Sequence, residues 1–228
     1  MDPLQRKVPT PAEKIALATG ALIGRLGVAL QFYVLMQNHV GLSTTEAVVR
    51  FFSFFTILTN LFVAAGYTFP LFAPTSAAGR YFASASARGS AAVYIVVVGV
   101  VYTLLLSQLY HPHGWAKFAD VLVHDVAPIF YAAFWFIFAA KEDLGWKDAA
   151  TWLGYPLGYL VWTLFRGALV SYYPYPFMDV TALGYQRVLF NSALLTIVFW
   201  VLGLIVILIA RFMTPVSTPV QQPATETE

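Results

Sequence analysis

Polar positions along the chain are confined to short breaks between long apolar runs. Six runs can be drawn, at Ile15–Gln37, Val48–Phe72, Ala91–Tyr110, Phe118–Ala140, Ala149–Val170 and Val188–Phe212. A helix of roughly 20 residues crosses the ~30 Å hydrocarbon core of a bilayer, and each run reaches that length. The runs are apolar on every side and lack the alternation of barrel strands, and a helix satisfies its own backbone groups in lipid. The pattern therefore predicts an all-α integral membrane bundle of six transmembrane helices over residues 15–213. The flanking segments 1–14 and 214–228, rich in Pro, Thr, Gln and Glu, read as disordered cytoplasmic tails. The first run carries Arg25 and lacks a small-residue cleavage site, so it reads as a retained helix rather than a secretory signal.

Composition strengthens this picture. Hydrophobic residues make up 59% of the chain and charged residues only 11%, against about a quarter charged in ordinary soluble domains. Lys and Arg fix the orientation. Arg6, Lys7, Lys14, Arg80, Arg88, Lys141, Lys147 and Arg211 fall on one side of the six-helix layout, and only Arg50, Lys117 and Arg187 on the other. Both termini are thus expected in the cytoplasm. A net charge of +2 gives no reason to expect nucleic acid as a partner, and the absence of cysteine excludes disulfides and thiolate chemistry. Aromatic residues crowd the ends of the runs, for example Trp115, Trp146, Trp152, Tyr172, Tyr173 and Tyr175, where they are expected to act as interfacial anchors.

Ionisable and polar residues inside the runs are the candidates for chemistry, because lipid makes them expensive. Arg25 is expected to pair with a carboxylate on another helix. Arg166, one turn before the end of its run, can extend its head group to the interface. His124 is the only histidine within a span, and Asp120 lies four residues earlier on the same helical face, where its carboxylate can orient the imidazole or cap the helix. In the second run Ser53, Thr56 and Asn60 recur at spacings of three and four and so line one face of a continuous helix. Hydroxyls in membrane helices usually bond their own backbone. Facing His124 across a bundle, however, a hydroxyl and the imidazole form a nucleophile and base, with Asn60 as a hydrogen-bond donor to substrate or oxyanion. His111, His113 and His39 give only a weak metal signal, lacking the spacing of familiar zinc sites, so no metal is expected. The segment Ser171–Asp179 reads as a stiff aromatic loop or a wall over a lipid-sized pocket, with Asp179 as its charged contact.

Three segments resemble the androgen-induced-protein/FAR-17a family of membrane proteins, and more closely its bacterial six-helix relatives. They are Phe54-Phe55-Thr56 followed by Asn60, then His124 with Pro128, then Gly158-Tyr159, Trp162 and Tyr175-Pro176-Phe177. Animal members hydrolyse fatty acid esters of hydroxy fatty acids with a threonine and a histidine. The resemblance implies Thr56 as nucleophile and His124 as base in a threonine-type ester hydrolase without a cofactor. A register shifted by one turn would place Ser53 in the nucleophile position. It also implies a bacterial inner-membrane protein acting on a lipid-like ester. Ser53, Asn60, Arg166, Tyr175 and Asp179 are the expected substrate contacts. The leading alternative is a transporter or lipid-binding protein that holds a substrate in the same pocket without cutting it. A retinal protein is disfavoured because the last run lacks a lysine, and a haem protein because two intramembrane histidines are wanting.

Overall fold

The structure is a computed structural model that describes residues 9–38 and 41–214. Among these residues every regular element is helical and there are no strands. The long elements are α1 (Pro11–Asn38), α3 (Phe55–Phe72), α5 (Ala85–Val101), α7 (Ala127–Phe138), α9 (Gly154–Val170) and α10 (Val180–Met213). Shorter helices lie between them: α2 (Thr44–Phe51), α4 (Ala77–Phe82), α6 (Gly114–Val121) and α8 (Trp146–Thr151). Ser43, Ser76 and Ser84 start α2, α4 and α5, each accepting from the amide three residues on, which satisfies a donor that the first turn leaves free.

Five helical stretches are long and apolar enough to cross a membrane: Pro11–Asn38, Phe55–Phe72, Ala85–Leu106, Gly114–Phe138 and Val180–Met213. The expected sixth, α9, has 17 residues, or about 25 Å at ~1.5 Å per residue, short of the ~30 Å core. The shortfall arises because Ala149–Thr151 belong to α8, which a turn at Trp152–Leu153 separates from α9. Helix α1 begins at Pro11, so residues 11–14 are part of it and not of a disordered tail. Residues 9, 10 and 214 of the predicted tails are described and lie outside the helices, whereas 1–8 and 215–228 lie outside the described residues.

The second run is also not one helix. It breaks at Phe52–Phe54, where Phe54 is extended (φ −80°, ψ 127°), and restarts at Phe55. Helix α2, with Glu46 paired to Arg50 at 2.6 Å, is the polar-faced piece, and α3 is the membrane-length piece. Two further departures are π-helical turns, Tyr102–Leu106 at the end of α5 and Leu122–Val126 between α6 and α7. Such turns insert a residue into the helical ladder and redirect the side chains they carry.

Small residues set the packing of α1, a device common at helix contacts in membrane bundles. A Cβ on Gly20 would fall 2.4 Å from the Tyr67 ring, and one on Gly27 2.9 Å from Val123 Cγ1. Helix α1 therefore lies tightly along both α3 and the second π turn. Arg25, on the outer side of α1, is exposed and donates to the Thr68 hydroxyl at 2.8 Å, so its partner is a hydroxyl and not the expected carboxylate.

One end of the bundle is closely knit. The Arg88 guanidinium, only 7% exposed, meets Glu13 at 3.1 Å and joins the starts of α1 and α5. Lys141 caps α7 by donating to the carbonyls of Trp135, Phe136 and Ala139. Burial, together with the nearby Arg88 charge, holds the Lys141 ammonium below the ordinary lysine range. Trp152, expected at the interface, is buried here and donates to Ser86, which donates in turn to Asp148.

Candidate functional site

At the opposite end the break before α3 decides the chemistry. Thr56 stands in the first turn of α3, where backbone amides have no partner within the helix, and Phe54 offers no side-chain cap. The Thr56 amide instead donates to the Tyr175 hydroxyl at 3.2 Å, and the Thr56 hydroxyl lies 3.4 Å from the same oxygen. Tyr175 comes from the loop after α9 and is buried, stacked on Phe177 with ring centroids 5.3 Å apart. Burial holds its hydroxyl above the ordinary tyrosine range, opposed by the hydrogen bonds to Thr56.

His124 sits in the second π turn. Its Nδ1 is 2.9 Å from Asp120 Oδ1 and 3.1 Å from the Asp120 carbonyl, and both of those atoms accept. Nδ1 therefore carries the proton of the neutral ring, and the lone pair is left on Nε2, which has no hydrogen-bond partner among the described residues. The sequence spacing that allowed Asp120 to orient the imidazole is realised, with Asp120 only 1% exposed. Tyr102, from the first π turn, completes the cluster. Its ring stacks on the imidazole at 3.7 Å with an 8° tilt, and its hydroxyl donates to Asp120 Oδ2 at 2.6 Å. Lys117 Nζ also reaches Asp120 Oδ2, at 3.3 Å. One residue thus fixes both the plane of the imidazole and the carboxylate that orients it.

Thr56, His124 and Tyr175 line one cavity of about 560 Å³, together with Tyr102, Asp120 and Arg50. No hydrogen bond joins Thr56 to His124 among the described residues: the Thr56 hydroxyl rests on Tyr175. A second, apolar cavity of about 80 Å³ lies between α3, α5, α9 and α10 and shares Thr56, Leu106 and Tyr175 with the first.

The other expected contacts are placed differently. Ser53 lies in the break, off the helix that carries Thr56 and Asn60. Its hydroxyl donates to the Val49 carbonyl at 2.6 Å, while its own carbonyl accepts from Tyr159 at 2.8 Å. Asn60 is fully buried, and its amide nitrogen donates to the carbonyls of Thr56 and Val123 at 2.9 and 3.3 Å. Both of its donors are spent, so it ties α3 to the π turn of His124 and has none left for an oxyanion; its Oδ1 is buried without a partner. Arg166 stacks on Tyr172 at 5.5 Å, and Arg50 lies over the same ring at 4.2 Å. Asp179 caps α10, accepting from the amides of Thr181 and Ala182 and from the Thr181 hydroxyl. The Thr181 hydroxyl bond holds the Asp179 carboxyl below the ordinary carboxylate range. Ser53, Asn60, Arg166 and Asp179 line neither cavity. His111 and His113 stand in the loop before α6, and His39, the third member of the weak metal signal, lies outside the described residues.

Tyr102 is the functional candidate that sequence reasoning missed. The available signal was one of three tyrosines in an apolar run, with Tyr94 and Tyr110, which periodicity alone does not set apart. No protein-family model, curated protein or solved structure matches the chain.

Proposed function

We propose that the chain is an intramembrane carboxylic ester hydrolase with Thr56 as nucleophile and His124 as base. The observation that carries this reading is the shared cavity of about 560 Å³, lined by the Thr56 hydroxyl and by an imidazole whose Nδ1 is held by a carboxylate and whose Nε2 is free. In this reading a water in the cavity relays the Thr56 proton to His124 Nε2. The Thr56 oxygen then bonds to the ester carbonyl carbon, and the carbonyl oxygen takes the negative charge. His124 returns its proton to the departing alkoxide as the bond from carbonyl carbon to alkoxy oxygen breaks, leaving an acyl-threonine and a free alcohol. Water, deprotonated by His124, attacks the acyl group, and Thr56 leaves with the proton. The acid and the original enzyme result.

Two donors serve the oxyanion: the Thr56 amide in the first turn of α3, and the Tyr175 hydroxyl now bonded to it. The positive end of the α3 dipole adds to both. Tyr102 and Asp120 act as positioning residues for His124. The resemblance to the FAR-17a family supports the same pair, and it suggests an ester of a lipid-like molecule and a bacterial inner-membrane location.

Hydrolysis by purified protein in detergent, of a fluorogenic ester and of a fatty acid ester of a hydroxy fatty acid, tests the reading. Thr56→Ala and His124→Ala are expected to lose activity by about 10³-fold, within the range for loss of a general base. Failure of the wild type to cleave any ester, or full activity in either variant, rejects it.

The same reading takes α9 as a sixth crossing and puts both termini in the cytoplasm, with the cavity toward the outer leaflet. Because the chain has no cysteine, single cysteines at Asp143 and Ser171 can be labelled selectively in intact cells. Labelling from outside is expected at residue 171 and not at residue 143. The reverse pattern overturns the orientation.

A further inference from the structure

The two cavities meet at Thr56, and they differ in kind. The larger is lined by Arg50, Asp120 and His124, none of which lines the smaller. The smaller is walled by hydrocarbon, chiefly Val97, Val98, Leu160, Leu195 and Phe199. Ser192 and Thr196 also face it, but their hydroxyls donate to the carbonyls of Val188 and Ser192 on their own helix, both at 2.8 Å. Apart from Thr56 and Tyr175 at its junction with the larger cavity and Tyr159, whose hydroxyl donates to the Ser53 carbonyl, its lining offers a guest van der Waals contact.

Chemistry decides which half of an ester goes where. The group that protonates the departing alcohol must reach its oxygen, and His124 lines only the larger cavity. The alcohol half therefore lies in the larger cavity. With Thr56 bonded to the carbonyl carbon, the acyl half points the other way, into the apolar chamber. A cavity of ~150 Å³ holds benzene, so one of about 80 Å³ takes roughly three carbons.

Resting on the hydrolase reading above, we propose that the chamber between α3, α5, α9 and α10 is an acyl-binding subsite for short chains, with Phe199 as its end wall, and that the substrate is a short-chain ester of a larger alcohol. A long-chain acyl group, as in the esters cleaved by the resembling family, does not fit it.

The decisive measurement is kcat/KM for the 4-nitrophenyl esters of acetic, butyric, octanoic and palmitic acid. Butyrate is expected to exceed octanoate and palmitate by about tenfold or more, the size of effect that a few methylenes produce in a fitted apolar pocket. Phe199→Ala is expected to raise octanoate about tenfold relative to butyrate, and Ser192→Leu, which fills the chamber, to lower butyrate about tenfold relative to acetate. Palmitate cleaved as well as butyrate, or a chain-length profile unmoved by both variants, overturns the proposal while leaving the hydrolase reading intact. If no ester is cleaved, the hydrolase reading falls and ketone binding judges the chamber alone. Pentan-2-one should then raise the melting midpoint of the wild type and undecan-2-one should do so only in Phe199→Ala. Equal shifts by both ketones in the wild type overturn it.

Discussion

The two ends of the bundle use polar residues in opposite ways. At the end holding the start of α1 and the end of α7, the buried charges are committed to fixed partners, Arg88 to Glu13 and Lys141 to three carbonyls, and the half-buried Asp148 accepts from Ser86. At the other end the helices are interrupted, by the break before α3 and by two π turns, and the polar groups surround a space. There His124 keeps Nε2 free, and the Thr56 amide is met by a side chain from a distant loop. At the first end the helices are broken too, at Trp152–Leu153, but the polar groups there close on one another. Irregular helix gives the second its cavity, because a broken ladder leaves donors and redirected side chains that a continuous one would not.

This contrast is open to direct attack, since substitutions at the cavity end should cost activity and those at the knit end should cost stability. The largest effect is expected for His124→Ala, an about 10³-fold loss of ester hydrolysis per folded molecule, while Ser53→Ala, whose hydroxyl is turned back on Val49, stays within about twofold of wild type. Next comes Glu13→Gln, which strands the buried Arg88 charge and should lower unfolding free energy by about 3–5 kcal/mol, read by denaturation in detergent, with kcat per folded molecule unaltered. A fall in kcat of the folded fraction would show that the two ends are coupled.

Tyr102→Phe keeps the ring on His124 and removes the bond to Asp120, whereas Tyr102→Leu removes both. We expect about tenfold and about 10²-fold losses in kcat, and a displaced acid limb of the kcat/KM profile in both. A profile that stays in place would make Tyr102 a packing residue only. The smallest effect belongs to Asp179→Ala, about 1 kcal/mol for loss of the α10 cap with no change in kcat. Its folded carboxyl is depressed below the ordinary ~3.9, so the cap's contribution is complete above that value. It is lost only as pH falls through the depressed value. The wild type and Asp179→Ala should therefore keep a constant stability gap between pH 7 and pH 5 and converge in stronger acid.

Helical character and membrane-length runs were legible because burial in lipid demands unbroken apolar segments, and Pro11–Asn38 and Val180–Met213 were displaced from expectation mainly at their ends. The link from Asp120 to His124 was legible for a similar reason, since four residues bring two side chains onto one helical face, and that spacing survives the π turn. Hydrophobicity could not show where an apolar run stops being α-helical. Phe52–Phe54 is as apolar as its flanks, so Ser53 seemed to share a face with Thr56 and Asn60, and the break removes it.

By itself the sequence determined an all-helical, apolar chain with few polar groups inside its apolar runs, among them Thr56 and His124, because composition and periodicity act locally and need no knowledge of neighbours. Tertiary structure alone decided that Tyr175, 119 residues along the chain from Thr56, serves its amide. It also brought Tyr102 and His124 together from two π turns, and it consumed the donors of Asn60 between two carbonyls. These are contacts between segments, and their geometry depends on how helices pack and where their ladders break.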